Sequence, residues 1–238
     1  MKPEIRKVKE LTDTVDGWLH DTEGELLYTL ARNCSGKGTI VEIGSWKGKS
    51  TIWLGKGSQD GNKVKVYAID PHSGSPEHKE LLGVITTFAE FESNTRRAQV
   101  EDVVMPLIKT SEEASKNFDK PVEFIFIDGA HEYDFVKLDF EVWFPKIIEG
   151  GIIAFHDTIG WPGPKHVVKE FVVQSKNFRN VRFVHSIVFA EKTHRSSTID
   201  QMRNRYVYVL LNLYQFLYWR WLPKVIQIMM IRFFSLIQ

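Results

Sequence analysis

Cysteine is almost missing from these 238 residues. Cys34 stands alone, which excludes an internal disulfide and a cysteine-built zinc site and fits a reducing compartment, so the chain is expected in the cytoplasm. Net charge is nearly absent too. With 31 basic and 30 acidic residues the balance is +1, nothing in composition calls for a nucleic-acid partner, and none is expected. The opening MKPEIRKVKELTD lacks the apolar centre of a secretory signal, so no export sequence is expected there. An apolar run of bilayer length is also lacking. From Tyr206 to Gln238, 24 of 33 residues are apolar or aromatic, but Arg220, Lys224 and Arg232 are interspersed and Pro223 divides the stretch, so a spanning helix is not expected.

What remains is ordinary globular composition, 43% hydrophobic and 26% charged, with a clear rhythm. Residues 21–34 carry Leu26, Leu27, Leu30 and Ala31 at helical spacing, with Asp21 or Thr22 as N-cap. Thr39 to Ile43 reads as a short buried strand leading through a glycine-containing turn into a helix near Ser50. KVKVYAID is a second strand ending at Asp70, a helical stretch covers Leu81 to Ala98, VVMPLI is a third strand and VEFIFIDGAH a fourth. DFVKLDFEVWFPKII is helical in period with Gly150 and Gly151 closing it, IIAFHD is the fifth strand, and VRFVHSIVFAEK adds one or two more at the sheet edge. This alternation predicts an α/β fold: a parallel sheet with helices on both faces and ligands at the carboxyl ends of its strands.

Chemistry-bearing residues gather at those ends. Glu42, Gly44, Ser45, Gly48 and Ser50 form E-x-G-S-x-x-G-x-S on a strand-to-helix turn, where glycines admit a ligand to the backbone and a helix start offers unpaired N–H groups. The spacing fits neither the dinucleotide fingerprint nor the phosphate loop, although Lys47 and Lys49 are suggestive of phosphate. Asp70, 28 residues past Glu42, could accept both ribose hydroxyls of an adenosine, or simply open an Asp-Pro turn. Asp128, His131, His156 and Asp157 end or follow two adjacent strands, so they should converge on one sheet edge. There they could hold a divalent cation, supply an imidazole base, or cap the following helices.

The motifs V-E-I-G-S-W-K-G-K-S-T, A-I-D-P-H, I-D-G-A-H-E-Y and G-G-I-I-A-F-H-D-T resemble the class I S-adenosylmethionine (SAM) dependent methyltransferases over residues 20–190. The likeness is to the branch of macrolide-sugar O-methyltransferases and cephalosporin-hydroxylase-like proteins. It implies a Rossmann-like three-layer sandwich with a mostly parallel seven-stranded sheet and added N- and C-terminal helices. It divides the chain into a helical cap (1–36), the SAM-binding domain (37–195) and an apolar helical segment (196–238). It places Glu42, Gly44, Ser45, Gly48 and Ser50 around the methionine end of SAM, Asp70 at the ribose and Ser111 near the adenine, with Asp128 adjoining. It also implies a cation, Mg2+ or Mn2+, on Asp128, His156 and Asp157. His156 stands where the metal-dependent pattern has an oxygen ligand, which brings softer ions, or a histidine base without metal, alongside Mg2+.

The expected function is methylation of a hydroxyl on a small molecule or glycan, with His131 or His156 as base and Asp128 orienting the acceptor. The alternatives are a metal-dependent hydroxylase-like enzyme and a SAM-binding protein without catalysis. Loops 71–92, with His72, Glu77 and His78, and 158–166, with Trp161, are expected over the acceptor. For residues 206–238 three uses stay open: packing on the core as a lid, a homodimer interface, or contact with a membrane surface.

Overall fold

The computed structural model describes residues 2–74, 86–218 and 224–238. Glu77, His78 and the start of the stretch expected to be helical from Leu81 lie outside the described residues, as do Trp219, Arg220, Trp221 and Pro223. The strands are β1 Thr39–Ile43, β2 Val66–Ile69, β3 Val104–Leu107, β4 Val122–Ile127, β5 Ile147–Phe155, β6 Phe178–Val184 and β7 Ile187–Lys192. They form one seven-stranded sheet in the order β3-β2-β1-β4-β5-β7-β6, parallel except where β7 runs against β5 and β6. The helices are α1 Pro3–Thr12, α2 Asp21–Asn33, α3 Lys49–Asp60, α4 Phe88–Arg97, α5 Ser111–Lys116, α6 Tyr133–Trp143, α7 Pro162–Val167, α8 Thr198–Tyr218 and α9 Lys224–Leu236. This is the Rossmann-like α/β sandwich that the motifs imply.

The central strands are apolar at nearly every position because both sheet faces are covered. Their period of two sorts the side chains. Val41, Ile43, Ile125, Ile127, Ile153 and Phe155 enter one core with residues of α6, α8 and α9. Ile40, Phe124, Phe126 and Ala154 enter the other with residues of α1, α2 and α3. Glu42 and His156 share the parity of this second set, so their side chains turn towards α2 and α3.

Two local expectations change. The cap of α2 is His20, whose Nδ1 accepts from the Thr22 amide at 3.2 Å while Glu23 accepts from the His20 amide at 2.8 Å. Gly150 and Gly151 do not close α6. That helix ends at Trp143, Pro145 follows in a short 3-10 turn, and both glycines lie inside β5. The register slips there, Val122 facing Ile147 while Phe124 faces Ile152, and Gly150 takes φ +78° to accommodate the extra residues.

Candidate active site

The strand order reverses between β1 and β4, and the site lies at that switch point. Paired rows run Ile69, Ile43, Ile127 and Phe155 across β2, β1, β4 and β5. One residue further along stand Asp70, Gly44, Asp128 and His156. The ladder still holds this row: the Gly44 amide donates to Ile69 O at 2.9 Å, Asp128 to Ile43 O at 2.8 Å and His156 to Ile127 O at 3.0 Å. Parallel pairing therefore brings together residues up to 112 positions apart in sequence.

Around β1 the site is closely built. Gly44 has φ +86°, and a Cβ there would stand 2.1 Å from Asp128 O, so only glycine fits between the two strand ends. Asp70 accepts the Trp46 amide at 2.7 Å and the His72 amide at 2.6 Å, which ties the β1–α3 turn to the end of β2. Each of its oxygens retains a second lone pair. Glu42 is fully buried; its Oε2 accepts the Thr51 hydroxyl at 2.5 Å. Its Oε1 and the Ser45 hydroxyl are buried with no hydrogen-bond partner. Such orphans are costly unless something polar meets them. Lys47 pairs with Asp16 and Glu90, and Lys49 donates to Gly17 O, so neither is turned to a phosphate-like use.

Burial pushes the Glu42 carboxyl up to about 8, hydrogen bonds from Ser50 and Thr51 offset this only in part, and the charges of Asp128 and Asp70 add to it. The native state thus keeps a proton that the unfolded chain, titrating near 4.5, releases. Stability contributed by this group is lost as pH rises from the unfolded value to the folded one. Glu42→Gln is expected to flatten the fall in thermal stability between about pH 5 and pH 8. Melting curves across that range check it, and unchanged slopes would contradict it.

His156 is the hub of the other half. It is 4% exposed. Its Nδ1 lies 2.9 Å from Asp128 Oδ1 and 3.0 Å from Asp157 Oδ2, and its Nε2 lies 3.2 Å from Glu23 Oε2. Burial disfavours the imidazolium, but Asp128 and Glu23 outweigh it and raise the ring well above its usual range. Glu23, equally buried, also accepts from the Ser186 amide at 2.9 Å and hydroxyl at 2.6 Å, and faces His185 Nδ1 at 3.1 Å. Its carboxyl is driven up by burial, yet His156 and His185 hold it well below the carboxylate range.

The ligand trio expected from sequence was Asp128, His156 and Asp157. Among the described residues, the group with one donor atom each within 4.8 Å of one another is Asp128, His131 and Asp157, with His156 behind them. His131 Nε2 is 3.1 Å from Asp157 Oδ2, and its ring stacks on Trp161 with centroids 4.7 Å apart. Burial works against the Asp157 charge, but His131 and His156 keep the carboxyl far below its ordinary value. Asp157 takes φ +57°, a strained turn that aims it back at both histidines.

Ser111 opens α5 and accepts the Trp143 indole N–H at 2.9 Å. Its neighbour Asp139 is pushed up to about 6 by burial, which a Ser111 hydrogen bond only partly opposes. Asp139 lies near Gly129, which joins the Ser111 end of the site to the loop after Asp128. His72 is buried with Nδ1 2.9 Å from the Thr87 hydroxyl. Glu23, His185 and Asp139 went unnoticed in the sequence. Glu23 and Asp139 look like ordinary helix residues there, and only the folded chain reveals their partners.

An open sheet with its reactive groups in one row past the strand ends is a Rossmann-like architecture with a ligand site at the switch point. Residues 41–158 match the family model described as a methyltransferase domain, a stretch running from β1 through Asp157. The O-methyltransferase NovP superposes with a TM-score of 0.63 at 18% identity, over 72% of this chain and 79% of that one. The SAH-bound methyltransferase PaMTH1 of Podospora anserina gives 0.60 at 18% identity, over 81% of this chain and 88% of that one. Likeness at that identity establishes the fold. Protein y4gI of Sinorhizobium fredii is 31% identical over 121 residues, covering 50% of this chain but only 13% of that protein, so the chain spans a small part of that relative. The match identifies residues 41–158 as a methyltransferase domain, carried on a Rossmann-like fold.

Proposed function

We propose that the chain transfers a methyl group from SAM to a hydroxyl of a small molecule or glycan, acting in the cytoplasm. Residues 37–195 carry the site in this reading, with 1–36 as a helical cap and 196–238 as an appended apolar segment. The observation that carries it is the row Asp70, Gly44, Asp128 and His156 at the switch point, beside the orphaned Glu42 Oε1 and Ser45 Oγ. The orphans suit the polar methionine end of SAM, the absent Cβ of Gly44 lets a ligand lie against the backbone, Asp70 suits the ribose hydroxyls, and Ser111 the adenine side.

SAM, when bound, supplies a methyl group already activated by its sulfonium. The chain must then place an oxygen in line and take its proton. His131 is the base in this proposal: it is partly exposed, and Asp157 stabilises its charge once it accepts the proton. His156 is held as an imidazolium by three carboxylates and so lacks a free lone pair; it positions Asp128 and Asp157 instead. Where a cation is held instead, Asp128, His131 and Asp157 offer two carboxylates and an imidazole to Mg2+ or Mn2+, and His131 then serves as a ligand and not as the base. An ion held there would acidify the acceptor hydroxyl. His131→Ala is expected to lower methyl transfer to a panel of sugar and phenol acceptors by about a hundredfold or more while S-adenosylhomocysteine (SAH) binding stays within about threefold. Undiminished transfer would remove His131 from this role.

A further inference from the structure

The two C-terminal helices are apolar on both sides. Their inner faces bury Val207, Leu210, Leu211, Tyr214, Ile231 and Phe234 in the core beside β6. Arg203 donates to Gln238 O, and Gln238 brackets Phe183 of β6, so the helices lie antiparallel over one floor. Packing on the core therefore covers one side of these helices and leaves apolar residues exposed on the other. On the outer side of α8, Ile199, Met202, Tyr206, Val209, Leu213 and Phe216 recur at alternating steps of three and four, each between 47% and 77% exposed. On α9, Ile226, Met229, Phe233 and Leu236 repeat the pattern and are exposed as well. No helix among the described residues is long and apolar enough to cross a membrane.

Charge decides between occupants. After Asp200 the chain contains no acidic residue, while Arg203, Arg205, Arg220, Lys224 and Arg232 carry five positive charges. The remaining 200 residues are therefore net negative. A second copy docking face to face would bring two such cationic segments together. An anionic bilayer surface instead satisfies both the apolar stripe and the cations. We infer that the outer face of α8 and α9 docks this protein on an anionic lipid surface, its stripe entering the interface and the exposed Arg205 and Arg232 meeting the headgroups. This inference stands independently of methyl transfer.

The test is sedimentation of the full chain with vesicles of phosphatidylcholine, alone or mixed with phosphatidylglycerol, at low and high salt. The expected result is binding to the mixed vesicles that weakens with salt. Val209→Asn with Leu213→Asn, and separately Arg205→Gln with Arg232→Gln, should each reduce it by about tenfold with melting temperature retained. Equal binding to both vesicle types, or binding indifferent to both variants, would overturn the inference. So would a solution dimer dissociated by the Val209 and Leu213 substitutions with no vesicle binding, which would make a second copy the occupant.

Discussion

His156→Ala is expected to destabilise the protein by about 3–5 kcal/mol, because removing one partner of a buried ion pair leaves the others charged and unpaired. Glu23, almost fully buried, would lose the cation that holds it ionised and keep only the Ser186, His185 and His20 contacts. Asp128 and Asp157 would face each other with only His131 between them and the uncompensated charge. In a chain of this size the melting temperature should fall by roughly 10 °C. Urea denaturation gives the free energy directly. A loss below about 1 kcal/mol would show that the three carboxylates do not depend on His156.

Asp128→Asn is expected to lower turnover by about a hundredfold to a thousandfold and to change SAH affinity by no more than about threefold. The amide keeps the shape of the side chain and the backbone carbonyl that abuts Gly44, so the cofactor cradle should persist. What disappears is one negative charge of the cluster that faces His131 and would orient the acceptor or hold a cation. Single-turnover measurement separates the two quantities. Parallel losses in both would make Asp128 a holder of SAM instead.

Much of this site was legible in the sequence because parallel strands impose a simple rule: whatever follows each apolar run lands on one edge. Gly44, Asp70, Asp128 and His156 follow four such runs, and the ladder sets them side by side. The rule does not say which way a side chain turns once past the strand. His156 keeps the strand's parity and turns inward to Glu23 on α2, 133 residues away, whereas His131, on the loop, swings over Asp157 beneath Trp161. Hence the metal-type donors gathered in the fold, Asp128, His131 and Asp157, differ by one histidine from the trio that the family resemblance implied. Gly150 and Gly151 misled for a related reason: glycines mark both helix ends and strand bulges, and Pro145 had already stopped the helix. The C-terminal segment displayed its apolar content but not its two-sidedness, since a stripe that packs on β6 and one that faces solvent have the same composition.

The most direct test of the central claim is calorimetric titration of the full chain with SAM and with SAH, with and without Mg2+ or Mn2+. Binding of both in the micromolar range, lost in Gly44→Ala, is the predicted result, since that Cβ would collide with Asp128 O. Absence of binding to either ligand by the folded wild-type chain would contradict the methyltransferase reading and leave the β1–α3 turn a structural feature alone.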